Sequence, residues 1–397
     1  MSALEHLRGL AALGPRPSGS PAEAAAADYA ATALRAAGLE PRVEQFVSAR
    51  SAWYPYAAFA GLALLGEVVF LAGGTSGAAA AFCLTLFGLG AGLLELTFRA
   101  NPLRWILPRV DSQNVVARIA PRDAARARVV LLGHLDTHRT PLVFSSDGWL
   151  RLFEKLVPLG LVSVLLLAVL EALAAAGVRG PWHLVSLPFG FVAAGLLVLF
   201  VQADLTPYTE GANDNASGVA VVLDLARRLR AEPLATTEVW AVLTGCEEVG
   251  CYGAFAFAAA HRADLGGAAW IAIDSVGGHG AGPIYLTRET FLLPAPSDPG
   301  LVRLAERVAA RRPELGLRGT TASGAYTEGC VGGRCDCRVL TFLAFDVHGL
   351  LPEWHRVTDV VANVDPEVVE RTESAVWDLL HDFDAEAAGS GAASAAG

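Results

Sequence analysis

The stretch Val129-Val130-Leu131-Leu132-Gly133-His134-Leu135-Asp136 runs from four apolar residues into a histidine and, two places on, an aspartate. A short continuous apolar run of this kind predicts a strand buried on both faces, as in a parallel sheet. Two more runs end the same way. Val239–Leu243 leads into Gly245-Cys246-Glu247-Glu248, and Ala268–Ile273 leads into Asp274. Asp214 stands just before a predicted helix, Asn215–Leu229, whose apolar residues include Val219, Val222, Leu223 and Ala226. His355 follows the last apolar run, Val339–Phe345, in the segment Pro352-Glu353-Trp354-His355.

Working outward, Pro21–Ala37, Val302–Arg311 and Pro366–Phe383 read as helices, and Arg42–Phe46 and Asn114–Ile119 as strands. The pattern predicts an α/β fold: a mixed, mostly parallel sheet flanked by helices. Open sheets of this class collect ligands at the carboxyl ends of their strands. Each polar residue named above falls at such a strand end or at a helix start.

Two histidines and three carboxylates in these places suit a pair of zinc ions, or other divalent ions of similar preference. Zinc takes His nitrogen and carboxylate oxygen in a four-coordinate shell, and a catalytic site keeps one position for water. Asp214 would bridge the pair, with His134 and Asp274 on one ion and Glu248 and His355 on the other. Zinc lowers the pKa of its water toward about 7. A carboxylate that is not a ligand can then take the water's proton and pass it to a leaving amine. Glu247 suits that role, and Asp136 suits a hydrogen bond that orients the His134 ring. Each motif alone is commonplace. All five ligands at predicted strand ends or helix starts are hard to explain as structural residues.

The rest of the composition points to a membrane. Of 397 residues, 53% are hydrophobic and only 18% are charged, against about 25% charged in a usual soluble domain. The excess is clustered in Trp53–Gly73, Ala78–Phe98, Leu156–Ala176 and Trp182–Val201, each near the roughly 20 residues that cross a bilayer as a helix. Short connections, Gly74–Gly77 and Gly177–Pro181, make them two hairpins. Trp53, Tyr54, Tyr56 and Trp182 lie at segment ends, where aromatic rings favour the headgroup zone. Arg50, Arg99, Arg104, Arg109, Arg151 and Lys155 flank the hairpins on one side and Arg179 alone on the other. The positive-inside rule then predicts a multi-pass protein with its catalytic domain on the cytoplasmic face. Glu67, Glu95 and Glu171 lie within the spans, with Glu95 and Glu171 away from the centres.

The expected division is therefore a hydrolytic domain from 1–52, 99–155 and 202–383, a hairpin over 53–98, a second over 156–201, and a disordered tail over 384–397. From Val201 to Asp214 is 13 residues, at most about 45 Å of extended chain. That leads us to expect an active site close to the membrane surface. The formal net charge of −10 argues against nucleic acid as a partner. Six cysteines in so long a chain are not a disulfide framework. The N-terminus, Met1-Ser2-Ala3-Leu4-Glu5-His6, lacks the basic-then-apolar layout of a signal peptide. Nothing in the sequence sets an oligomeric state.

Taken in order, Gly14-Pro15-Arg16-Pro17-Ser18-Gly19-Ser20, Asn114-Val115-Val116-Ala117, His134-Leu135-Asp136, Gly211–Gly218, Glu247-Glu248, Asp274 and His355 resemble the zinc aminopeptidase and glutamate carboxypeptidase group, peptidase clan MH. The resemblance covers nearly all the chain outside the hairpins. It implies a peptide substrate, two zinc ions on His134, Asp214, Glu248, Asp274 and His355, a base at Glu247 and an orienting Asp136. Asp359 follows His355 at the group's His-x-x-x-Asp spacing. Where the group has Ser-Asp-His before the last strand, this chain has Thr327-Glu328-Gly329-Cys330. Glu328 and Tyr326 are accordingly candidates for the substrate pocket, Tyr326 as a donor to a tetrahedral intermediate. The expected protein is a membrane-embedded zinc aminopeptidase. The alternatives are a carboxypeptidase or amidohydrolase on the same site, or a non-enzymic receptor or scaffold; a glutaminyl cyclase fits less well, because Asp214-Asn215-Ala216-Ser217-Gly218 and Glu247-Glu248 resemble the peptidase pattern. Cys330, Cys335 and Cys337 are read as a loop near the pocket rather than a third metal site. His138, His279 and His348 are read as pocket-lining or capping residues.

Overall fold

The computed structural model describes residues 1–394, and the side chains of 1–389. The chain forms two compact units. One contains Met1–Arg50, Arg109–His138 and Tyr208–Gly397; the other contains Ser51–Pro108 and Arg139–Pro207.

The first unit is built on one mixed sheet. Its strands are β1 (Arg42–Ala49), β2 (Arg109–Ile119), β3 (Ala127–His134), β4 (Thr237–Thr244), β5 (Ala269–Ile273), β6 (Gly282–Thr290), β7 (Pro294–Pro296), β8 (Arg318–Ser323) and β9 (Arg338–Phe345). Their order is β1-β2-β4-β3-β5-β9-β6-β7, with β8 paired to β6. The four central strands, β4, β3, β5 and β9, run parallel. They are the apolar runs from which the fold was expected, and they are buried almost throughout. Strands β1, β2 and β6 join antiparallel on the two sides. The expected α/β architecture is thus present. Strands β6 to β8 were not anticipated, because prolines and polar residues break 282–296 and β8 (Arg318–Ser323) is largely polar.

Register decides where the polar residues meet. His134 on β3 is paired with Thr244, the last residue of β4. Ile273, which ends β5, pairs with Phe342 on β9. The segments following β3, β4 and β5 therefore emerge side by side.

The helix expected from Asn215 begins later, at Gly218, and runs to Ala231. Ala212–Ser217 forms a wider turn in which Asp214 and Asn215 have non-helical backbone. The Asn215 side chain explains the shift. Its Oδ1 accepts from the Gly218 and Ser275 N–H groups at 2.9 and 3.2 Å, and its Nδ2 donates to the Ile273 carbonyl at 3.0 Å. Asparagine competes with the helix in this way and favours its start. Gly218 is required by space, since a Cβ there would lie 2.1 Å from the Ile273 oxygen.

The last helix runs Pro366–Ser394, so 384–394 are helical where a disordered tail was expected; 395–397 lie outside the described residues. Asp384 is one reason. Its carboxylate accepts from the N–H of Ala235 and Thr236 and from the hydroxyls of Thr236 and Thr237, at 2.7 to 3.1 Å.

The second unit holds three helices long and apolar enough to cross a membrane: Tyr54–Leu96, Asp147–Ala175 and Trp182–Leu205. The first is broken at Gly74 (φ 54, ψ −141), the glycine that opens the expected hairpin turn. Its two halves fold back on each other. A Cβ on Gly88 would meet Leu62 at 3.0 Å, and one on Gly92 would meet Phe59 at 2.9 Å. Small residues permit such close packing between apolar helices. Glu95 pairs with Arg104, while Glu67 accepts from Ser186 (2.9 Å) and Glu171 from Thr85 (3.1 Å). Many outward side chains are apolar, Phe191 at 82% and Val198 at 69% exposure among them. A water-facing helix would carry polar residues there.

Candidate active site

The His134 Nε2 atom lies 3.2 Å from Asp214 Oδ1, 3.6 Å from Asp274 Oδ1 and 4.0 Å from Glu247 Oε2. The His355 Nε2 atom lies 3.3 Å from Asp214 Oδ2 and 3.2 Å from Glu248 Oε2. Asp214 thus turns one carboxylate oxygen to each histidine, the arrangement expected of a bridging ligand. Three sets of donor atoms lie close enough to hold an ion: His134, Asp214 and Asp274; His134, Glu247 and Glu248; and His138, Glu248 and His355. His134, Asp214, Glu248 and His355 are all buried or nearly so.

Electrostatics at the cluster fit cations. Burial pushes the Glu247 carboxyl well up, opposed by His134 and reinforced by Glu248, Asp274 and Glu328. Glu248 is pushed up to about 7 by burial and by Asp214. Burial pulls His355 down, but Glu248 and Asp214 overcome it and push it up to about 9. Glu248 Oε1 and Glu328 Oε1 are buried with no hydrogen-bond partner. Buried, crowded carboxylates with orphaned oxygens beside imidazole nitrogens are the donor set that divalent zinc prefers. On these observations the residues present fit the metal.

A layer of buried polar groups holds these side chains. His134 Nδ1 lies 3.2 Å from the Asp136 backbone oxygen and 3.5 Å from its Oδ1, which directs Nε2 into the site. The Asp136 carboxylate accepts from the N–H groups of Glu247 (3.0 Å) and Glu248 (3.1 Å) and from the Ser18 hydroxyl (2.6 Å). One aspartate therefore fixes a histidine and the Glu-Glu turn together. Asp359 accepts from the Asn213 and Asp214 N–H groups at 2.6 and 3.1 Å; burial and then Asp214 push it up to about 8. Glu23 accepts from the N–H groups of Gly19 and Cys246 and from the Ser112 hydroxyl. The fully buried Arg16 donates to the carbonyls of Leu135, Leu10, Gly14, Glu210 and Gly211, tying the Pro-Arg-Pro segment to two ligand-bearing loops.

The expected ligands His134, Asp214, Glu248, Asp274 and His355 are thus brought together with Glu247 and Asp136. Glu328 joins them, buried and within electrostatic range of His134, Asp274, Asp136 and Glu247, and burial pushes it up to about 7. The Tyr326 hydroxyl is instead engaged by the backbone of Leu293, whose N–H it accepts from at 3.0 Å. From sequence, Glu23 and Arg16 have no role, and His138 reads as pocket-lining or capping and not as a ligand. His138 stacks on His355 with ring centroids 3.6 Å apart and joins it in a metal-capable set; its place four residues after His134 was the available signal. Glu23 and Arg16 support the site from the first 25 residues, and Arg16 was visible only as part of a motif. No cysteine belongs to a metal-capable set among the described residues.

Residues 194–380 match the model of peptidase family M28. No curated protein sequence matches the chain. Among solved structures, the chain is similar to a Zn-dependent exopeptidase from Parabacteroides distasonis (14% identity, 96% of this chain and 97% of that one, TM-score 0.57). It is also similar to a leucine aminopeptidase precursor from Bacteroides thetaiotaomicron (13%, 96% and 96%, TM-score 0.56). A Tannerella forsythia glutaminyl cyclase is similar too (16%, 96% and 97%, TM-score 0.54). At these identities the likeness is one of fold.

Proposed function

We propose that the chain, whose residues 194–380 match the model of peptidase family M28, is a zinc-dependent aminopeptidase of that family, held in a membrane by its apolar helices. The observation that carries the reading is the Asp214 carboxylate shared between His134 and His355, with the Glu247 carboxylate beside them. His134, Asp214 and Asp274 would hold one ion, and Asp214, Glu248 and His355 the second. Bound zinc supplies Lewis-acid polarisation of the scissile carbonyl and makes water a nucleophile near neutral pH.

Glu247 does the proton work in this reading. It takes a proton from the attacking water and delivers it to the departing amine, as a carboxylate held within hydrogen-bond reach can do. Asp136 keeps the His134 ring turned and the Glu247-Glu248 backbone in place.

The acid-rich surroundings support an aminopeptidase over a carboxypeptidase. Asp136, Asp214, Glu247, Glu248, Asp274 and Glu328 gather at the site, more carboxyl groups than two divalent ions take as ligands. A free N-terminal amine relieves that excess, whereas a C-terminal carboxylate adds to it. The buried Arg16 guanidinium is turned to backbone carbonyls and is not offered to a substrate carboxylate. The basic flanks of the apolar helices support a multi-pass arrangement with both termini in the cytoplasm.

The test uses detergent-purified protein and peptides with free N-termini, acetylated N-termini and N-terminal glutamine, with and without chelator. Chelator-sensitive release of N-terminal residues from the free peptides alone is expected. Equal cleavage of acetylated peptides would favour a carboxypeptidase, and loss of ammonia from the glutamine peptides a cyclase. Metal-loaded protein that turns over none of them would leave a non-enzymic receptor or scaffold.

A further inference from the structure

The Glu247 carboxylate is the group on which the proposed chemistry turns, and its backbone is unusually well fixed. Gly245 N–H donates to Asn114 Oδ1, Cys246 N–H to Glu23 Oε1, and Glu247 and Glu248 N–H to Asp136. The Glu247 carbonyl in turn accepts from the Gly250 and Cys251 N–H groups at 2.8 and 2.7 Å. A fixed backbone still leaves three side-chain torsions free to swing the carboxylate. Among the described residues, the hydrogen-bond donor that reaches it is the thiol of Cys251, 3.3 Å from Oε1. The other oxygen, Oε2, faces His134.

Cys251 is held as firmly as its partner. It is 1% exposed, stands at the N-cap of the helix Tyr252–Ala260, and adopts a left-handed backbone conformation (φ 56). The neighbouring Cys330 thiol, burial and the Glu247 charge together push the Cys251 thiol well above the usual range. A thiol ordinarily keeps its proton near neutral pH, so Cys251 can donate to the Glu247 oxygen that it faces.

We propose that Cys251 is a positioning residue for the general base: its S–H group holds Glu247 Oε1 so that Oε2 points at the reacting water. The choice of a thiol has a physical reason. A charged donor such as a guanidinium would stabilise the charged carboxylate and weaken it as a base. Sulfur is a weak donor, so it orients the group at little cost in basicity. The inference rests on the reading of Glu247 as the base.

The test compares wild type, Cys251→Ala and Cys251→Ser as metal-loaded, reduced protein on an N-terminally free peptide. Cys251→Ala is expected to lower kcat about tenfold with KM within about twofold and metal content unchanged, the scale of one hydrogen bond to a charged group. Cys251→Ser keeps a donor in the same place and should recover kcat to within about threefold of wild type. Wild-type kcat in Cys251→Ala, or no recovery in a folded, metal-replete Cys251→Ser, would overturn the assignment.

The contact is also read without turnover. The infrared difference between wild type and Cys251→Ala isolates the Cys251 S–H stretch, which should lie at the low frequency of a bonded thiol and move up in Glu247→Ala. A band that Glu247→Ala leaves unmoved would overturn the inference. If wild type cleaves no peptide, the function proposed above fails, and the band alone decides whether the thiol holds Glu247.

Discussion

Replacing Asp136 by asparagine probes the site through a residue that is not itself a ligand. Asp136 is fully buried; its Oδ1 accepts from Glu247 N–H, and its Oδ2 accepts from Ser18 Oγ and Glu248 N–H. An amide of the same shape must place its NH2 on one side or the other. The less costly choice is the Oδ2 side, where the Ser18 hydroxyl can turn and accept. Even so, Glu248 N–H then faces a donor, and the other hydrogen bonds lose their charge. A lost charge-assisted bond and a buried N–H left without an acceptor each cost about 1–3 kcal/mol. A total near 3 kcal/mol corresponds to roughly a hundredfold, at the upper end of the 10–100-fold that supporting partners of metal ligands usually contribute.

The assay is competition for zinc against a chromophoric chelator, with kcat/KM measured on the same preparations. Asp136→Asn should weaken metal affinity or kcat/KM by up to about that factor, and any part of the cost not felt at the site should appear as a lower melting temperature. Ser18→Ala removes only one donor and should cost about 1 kcal/mol, so the two variants should rank in that order. Wild-type affinity and turnover in Asp136→Asn would refute the claim that this carboxylate organises the site.

Two other expectations follow from the same geometry. Glu247→Gln should keep its zinc, since the five proposed ligands are intact, but lose about 10²–10⁴ in kcat, the usual contribution of a general base; peptide assays paired with metal analysis check both halves. Asp384→Asn should lower the melting temperature at pH 7. Burial alone would raise the Asp384 pKa, but the Thr236 and Ala235 N–H groups and two hydroxyls outweigh it and hold the carboxyl below the ordinary range. Its contribution is therefore full above the unfolded value of about 3.9 and is lost as pH falls through the lower folded value, so thermal melts should show the gap between the two proteins closing in acid.

The central sheet was legible from sequence because a strand buried on both faces has no alternative to a run of apolar residues. Val129–Leu132, Val239–Leu243 and Val339–Phe345 announced themselves in this way; His134, Glu248 and Asp274 lay shortly beyond such runs, Asp214 just before a helix, and His355 ten residues past the last run. The apolar helices were legible for a similar reason: length and the lack of charge are properties of the chain itself. Less regular segments were not. Strands β6 to β8 carry prolines and polar residues, and α-helix through 384–394 follows an Ala- and Gly-rich composition that suggests disorder until Asp384 is seen to bond the Ala235–Thr237 segment.

What only the tertiary structure decided is which groups face which. The sequence supplied His134, Asp214, Glu247, Glu248, Asp274 and His355 as chemically suitable side chains at strand ends or helix starts. It could not say that Asp214 would turn one oxygen to each histidine, or that His138 would stack on His355. Nor could it say that the Tyr326 hydroxyl would be engaged by Leu293, or that a thiol four residues beyond Glu247 would reach back to its carboxylate. Pattern along a chain records periodicity and burial, which are local averages. Contacts among side chains from separate loops depend on sheet register and on single rotamers, and those are set only when the strands have paired.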